Sequence, residues 1–443
     1  MPRRTLSILL FLMTPVWWSC SPSPKEADPS KASVANMDHL AKAYVMLGLQ
    51  LGRLDANYVD AYYGPKAWEP DPSKAPPALE ALRQQAASLL GELKAFPEPS
   101  ETLPARRLLY LRKQMTAMVT RIAMLQGQKL DFDEEAIQVY DAKPPKHDLS
   151  HFQALVTQLE QVIPGEGGLR ARLQAYRDRF VIPPARLDSV FKAAIEEARQ
   201  RTKAHLDLPE GETFTVEYVT GKPWSGYNWY QGNATSLIQV NTEFPITIDR
   251  AIDLACHEGY PGHHVYNVLL EQHLVREKGW QEFAFYPLFS PQSLIAEGTA
   301  NFGIQVAFTT EERIAFEKEV LFPLAGLDGA DAAQYYKVMG LLDQLKYAGN
   351  EAARSFLNGT VDRSTAISWL TGYALMPEPK AKQRIDFFKT YRAYVINYNL
   401  GEDLVAAYVE SQGGGTGAGA KWQAFQNLLS APWVPSQLQT MAD

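Results

Sequence analysis

Eight histidines are spread over 443 residues, yet three fall in one window, His257-Glu258-Gly259-Tyr260-Pro261-Gly262-His263-His264. Imidazoles grouped around a glutamate point to metal chemistry. In the zinc motif H-E-x-x-H, two histidines one helical turn apart meet the same ion, and the glutamate beside the first faces a reacting water. Here the second histidine stands two places late. At roughly 100° per residue, position i+6 lies about 120° around a regular helix, while i+7 is in phase but roughly 10.5 Å further along the axis. Neither suits two metal–nitrogen bonds of about 2.0–2.1 Å. Pro261 lacks an N–H and clashes with the preceding turn, and Gly262 tolerates unusual dihedrals. A bulge or break at Tyr260-Pro261-Gly262 is therefore expected, swinging His263 to where an i+4 ligand would sit. His264 is the alternative second ligand, or else a substrate contact.

A third ligand has to come from another element. Ser290-Pro291 is a good helix start, with serine at the cap and proline in the first turn. The helix that follows carries Glu297 among small and apolar residues, where an unpaired carboxylate is expensive and a metal removes the penalty. Gly298 and Ala300 let that helix approach a neighbour closely, and Asn301, one turn on, is placed to orient a ligating histidine. The expected centre is one zinc ion on His257, His263 and Glu297, with Glu258 as general base and water as nucleophile.

These side chains need a scaffold, and most of the chain reads as helix. From Met37 to about His205, apolar residues recur at three and four, as in Leu40, Tyr44, Leu47 and Leu51 or Leu108, Leu111, Met115, Met118 and Ile122. Proline-rich breaks at 70–77, 97–104, 144–145 and 183–184 divide them, and no recognisable chemistry lies in this half. At Glu212 the character changes. Residues 213–219 alternate like a strand and 236–241 suggest a second, with an aromatic loop from Gly221 to Gly232 between them. Helical periodicity returns at Pro245 and persists to about Glu410, and the glycine-rich run after Ser411 reads as a flexible linker. The fold class is mainly α, with a small β-sheet or hairpin beside the motif helix.

Net charge is −7, which leaves no excess of cations for phosphates and argues against a nucleic-acid partner. Arg3 and Arg4 followed by an apolar stretch, Leu6 to Trp18, read as an export signal too short to span a membrane. Residues 21–36 are rich in Ser, Pro and Lys and read as a tether. The division is thus a signal peptide at 1–20, a tether at 21–36, a helical scaffold at 37–205 and a catalytic region at 206–443. The two cysteines are Cys20 and Cys256. Cys256 reads as a small buried residue; adjacent helix positions point about 100° apart, so His257 is poorly placed to activate it as a nucleophile.

HEGYPGHH, followed by Ala296-Glu297-Gly298-Thr299-Ala300, resembles a bacterial family described as domain of unknown function 885, whose members carry HE-x-x-P-G-H-H and, downstream, E-G-x-A. That family is similar to gluzincin peptidases, of which the carboxypeptidase Taq family is a mainly helical example. The likeness covers roughly residues 210 to 410. It implies a zincin-like catalytic region and favours His263 over His264 as ligand, since His263-His264-Val265-Tyr266 aligns with the stretch after the second gluzincin histidine. It also implies that Tyr398, in Tyr398-Asn399-Leu400-Gly401, hydrogen-bonds a developing oxyanion, and that Arg384 binds a substrate carboxylate. The sequence departs from the family at Thr299, where tryptophan is usual, and at Tyr391-Arg392-Ala393-Tyr394, which replaces Pro-Gly-Gln. Residues 236–241 sit where gluzincins have a substrate-pairing edge strand. Ser19-Cys20 resembles the lipobox of bacterial lipoproteins, although Trp17-Trp18 departs from it. This implies a lipid on Cys20 and a membrane-tethered protein facing the periplasm, the alternative being a soluble periplasmic one. The function expected is a zinc peptidase acting on a peptide or small amide. A metal-dependent hydrolase of another amide or ester, or a non-catalytic lipoprotein that binds peptide or metal, would use the same residues.

Overall fold

The computed structural model describes residues 29–222 and 224–442. The export segment, Ser19-Cys20 and the start of the tether lie outside the described residues. The chain is mainly α-helical, with one two-stranded and one three-stranded sheet among the described residues. Its first helix spans Pro29–Gly52 and so takes in residues 29–36, which composition had assigned to the tether. Nothing in the sequence opposes this: proline is tolerated in a first helical turn, and neither proline nor glycine interrupts residues 30–36. Among the described residues no helix is long and apolar enough to cross a membrane.

The three- and four-residue periodicity of the N-terminal half translates directly into packing. Helix Thr102–Leu125 buries Leu108, Leu111, Met115, Met118 and Ile122. Buried apolar residues from Met37 to Leu438 form one continuous cluster, so residues 37–205 and 206–443 share a core.

Among the described residues, five short strands surround the motif. Strand β1 (Val59–Tyr62) pairs antiparallel with β5 (Phe285–Pro287), joining the N-terminal half to the segment just before Glu297. Strands β2 (Thr213–Val219), β3 (Gly226–Gly232) and β4 (Thr235–Asn241) form the second sheet in the order β2-β4-β3. Strand β4 runs parallel to β2 and antiparallel to β3. Two expectations are corrected here. The aromatic stretch up to Gly232 is a strand from Gly226 onward, turned into β4 by Asn233 and Ala234, both at positive φ as a two-residue hairpin turn requires. Residues 236–241 form the central strand, buried along Ser236, Ile238 and Val240, so the edges belong to β2 and β3. The glycine-rich run is also no linker. It folds into a turn at Gly414–Thr416 that joins helix Ile396–Ser411 to helix Ala418–Leu429, with Gly414 buried.

Helix Pro291–Ala307, which carries Glu297, crosses helix Ile396–Ser411, which carries Tyr398, at Gly298 and Gly401. A Cβ on Gly298 would collide with the Gly401 carbonyl, and one on Gly401 would come 2.7 Å from the Leu294 carbonyl oxygen. Gly298→Ala is therefore expected to cost about 1–3 kcal/mol by overpacking a backbone contact that side-chain rotation cannot relieve. Calorimetry would show it as a lowered unfolding midpoint; an unchanged midpoint would mean that the helices separate freely.

Candidate metal centre

Helix Ile248–Leu254 passes into a π-helical turn, Ala255–Gly259, and stops at Tyr260, whose backbone is extended. A cis Tyr260–Pro261 bond follows, and a new helix, His263–Leu270, begins directly after Gly262. The Gly262 N–H donates to the Cys256 carbonyl at 2.9 Å, and any Cβ at Gly262 would collide with the His257 carbonyl oxygen. The chain thus breaks at Tyr260-Pro261-Gly262, where the register of the two histidines demanded it. Folding back at that point brings Nε2 of His257 and Nε2 of His263 to 3.1 Å.

Glu297 closes the group. Its Oε2 lies 3.4 Å from His257 Nε2 and 3.7 Å from His263 Nε2. Donors bound at about 2.0–2.1 Å to one tetrahedral zinc stand about 3.3 Å apart, so the three separations match the spacing of three ligands on one ion. Two further observations fit a cation. Imidazole nitrogens that face each other at 3.1 Å need a proton or a metal between them. Glu297 Oε2 is buried and has no hydrogen-bond partner, an expensive state for a carboxylate oxygen without a ligand. Burial works against ionisation of Glu297, but the facing imidazoles outweigh it and hold the carboxyl well below the usual carboxylate range. Burial also disfavours charge on His263, whereas Glu297, Glu258 and Asp60 reverse this and raise its pKa.

Glu258 stands beside this triangle without belonging to it, its Oε1 4.0 Å from His257 Nε2. It is 4% exposed, and burial raises its pKa although both imidazoles oppose the shift. Tyr398 and Arg384 lie in the same cleft, the Arg384 guanidinium 5.9 Å from the Tyr398 ring centroid, and burial pushes the Tyr398 phenol up.

Two expected roles do not survive. His264 is fully buried behind the centre, its Nδ1 2.8 Å from Ser236 Oγ and its Nε2 3.2 Å from Glu212 Oε2, so it touches neither the triangle nor the cleft. Burial keeps this ring below its usual pKa in spite of Glu212. Asn301 does not orient a histidine; its amide donates to the Tyr398 carbonyl at 2.6 Å and locks the two crossing helices together. Cys256 is buried as expected, and burial pushes its thiol pKa up, away from nucleophilic use.

Other residues of the site have roles that the sequence did not disclose. Tyr394 donates to Glu297 Oε1 at 2.8 Å and so fixes the carboxylate that faces the imidazoles. Asp60, on β1, reaches the cleft from the N-terminal half and accepts a hydrogen bond from Tyr227. Burial raises Asp60 to about 6 although Tyr227 and His263 pull it down. Glu212 braces the break: it accepts from Tyr260 Oη at 2.6 Å and pairs with Arg199 at 3.0 Å. Its burial is outweighed by His264, Tyr260 and Arg199, which hold it at about 2. Tyr394→Phe removes one hydrogen bond to a candidate ligand. Losing such an outer partner typically costs about 10–100-fold in metal affinity. Chelator competition should find that loss, with little change in unfolding midpoint at saturating zinc.

The triangle opens into a cleft of ≈ 830 Å³, within the range of small-molecule and peptide sites. No family model matches the chain, and no curated protein matches it. Among solved structures, a candidate lipoprotein from Colwellia psychrerythraea aligns over 92% of this chain and 75% of its own, with TM-score 0.51 and 14% identity. A candidate lipoprotein of unknown function from Shewanella oneidensis aligns over 79% of this chain and 72% of its own, with TM-score 0.39 and 12% identity. The first likeness is one of fold: this chain shares its architecture with a bacterial protein described as a candidate lipoprotein.

Proposed function

We propose that this protein is a zinc-dependent hydrolase that cleaves amide bonds, a peptidase of the bacterial cell envelope. The observation that carries the reading is the triangle of His257 Nε2, His263 Nε2 and Glu297 Oε2, with a partnerless carboxylate oxygen at one corner and buried Glu258 alongside. These three residues would hold the ion. When bound, zinc supplies Lewis acidity, polarising a carbonyl and making water a nucleophile near pH 7.

The protein's own groups do the rest. Glu258, raised in pKa by burial, is a better proton acceptor than an exposed carboxylate. It takes a proton from water and returns it to the leaving amine. The Tyr398 phenol donates to the oxygen that gains negative charge. Arg384 pairs with a substrate carboxylate. With β4 in the centre of its sheet, backbone pairing with an extended substrate falls to the edge strand β3, whose residues line the cleft. The HEGYPGHH resemblance to gluzincin-like sequences supports the same assignment. The signal-like first twenty residues, together with the candidate lipoprotein that shares the fold, support export and lipid attachment at Cys20.

Metal analysis of the full chain, with a screen of short peptides, tests the proposal. About one zinc per chain is expected, with hydrolysis abolished by a chelator and restored by added zinc. A chain that binds no zinc at saturating concentration would overturn it.

A further inference from the structure

The same cleft is lined by five lysines and arginines; Lys222 apart, the other four come from three separate segments. Arg177 lies in the last turn of helix Leu169–Asp178, Arg250 lies on Ile248–Leu254, and Lys380 and Arg384 lie one turn apart on Glu378–Tyr391. In a chain of net charge −7, such a concentration is not general surface character. Acidic partners are scarce. Among the described residues, the one carboxylate within ion-pair distance of any of the four is Asp253, 3.8 Å from Arg250, and it is held more closely by Arg313 at 3.0 Å. Arg384 Nε is buried without a hydrogen-bond partner, and its guanidinium lies 4.7 Å from the Phe387 ring centroid. Lys380 opens onto the cleft, yet desolvation and then Arg250, Arg177 and Arg384 push its pKa down to about 8. The cluster adjoins the candidate metal centre, since the Arg250 charge acts on Glu258 and Arg384 approaches Tyr398. Like charges crowded together favour the ligand that neutralises them.

We infer that the cleft takes substrates with two carboxylates on the Arg384 side of the scissile bond, as in a short peptide ending in glutamate or aspartate with a free carboxyl terminus. One carboxylate is the partner of Arg384; the second answers to Lys380, Arg177 and Arg250. The position of the scissile bond rests on the hydrolase reading, whereas recognition of the two anions does not.

The test is calorimetric binding of N-acetylglutamate and N-acetylglutamine to the full chain freed of metal, with hydrolysis by the zinc-loaded protein of peptides ending in Glu or Gln. N-acetylglutamate should bind at least about tenfold more tightly, the worth of one added charge-assisted hydrogen bond. Arg177→Gln combined with Lys380→Gln should erase that preference while N-acetylglutamine still binds. Equal affinity of the wild-type protein for the two acids, or a preference that survives in the double variant, overturns the inference. Discrimination without hydrolysis of any peptide leaves the anion site standing and removes the hydrolase reading. Hydrolysis of both peptides alike, with equal binding of both acids, does the reverse.

Discussion

Glu258→Gln is expected to keep zinc at wild-type stoichiometry and to lower peptide hydrolysis by about 10²–10⁴-fold, the usual worth of a positioned general base. The geometry separates the two effects. Glu258 is no corner of the donor triangle, so its loss leaves His257, His263 and Glu297 in place. Glutamine has nearly the same shape, which matters because Glu258 packs tightly: a Cβ on Gly226 would come 2.6 Å from Oε1. The amide cannot take up a proton. Nor should the variant unfold, because burial already disfavours the Glu258 carboxylate and a neutral group relieves that cost. Zinc content by elemental analysis and kcat/KM on one peptide decide the matter together. Full turnover with zinc bound would show that water is activated without Glu258, and the proposed chemistry would be wrong.

What the sequence disclosed follows from how locally each feature is determined. The break at Tyr260-Pro261-Gly262 was legible because proline and glycine constrain their own backbone and because the spacing of the two histidines had no other solution. Glu297 was legible because a carboxylate among small apolar residues has few stable states. His264 was misread for an equally local reason. Adjacent positions in a helix point about 100° apart, so a His263 turned to the centre sends its neighbour elsewhere. Its partners there, Ser236 and Glu212, come from strand and loop segments whose placement no periodicity reports. Asp60 was invisible because it depends on β1 pairing with β5 more than two hundred residues away. Strand order is just as non-local, and so β4 passed for an edge while the glycine-bounded aromatic segment that forms one of the two edges passed for a loop. The Tyr391, Tyr394 and Tyr398 stripe is visible in the sequence as one face of a helix. Only the tertiary structure shows that the middle tyrosine, just past the positive-φ residue Arg392 that ends helix Glu378–Tyr391, is the one that reaches Glu297.

Glu297→Gln is expected to weaken zinc binding by more than about 100-fold, beyond the 10–100-fold typical of losing an outer partner such as Tyr394. The substitution removes the one anionic donor from the triangle and leaves two neutral imidazoles and an amide. Tyr394 still has an amide atom to meet, so the helix position is preserved. Stability supplies the control that activity cannot. Zinc at about 1,000 times its Kd adds about 4.1 kcal/mol to a protein that binds it only when folded. The wild-type unfolding midpoint should therefore rise on adding zinc and fall back with chelator, while in the glutamine variant, more than about 100-fold weaker, the same zinc adds less than about 1.4 kcal/mol and the rise largely disappears. His257→Ala should behave in the same way, because it removes a second corner of the same triangle. Tyr394→Phe should fall between, regaining the full zinc-dependent rise once zinc is raised to saturate it. This graded order follows from coordination by His257, His263 and Glu297 with Tyr394 behind them. A zinc-dependent rise that persists undiminished in both Glu297→Gln and His257→Ala would mean that the ion binds elsewhere and that the facing imidazoles share a proton instead.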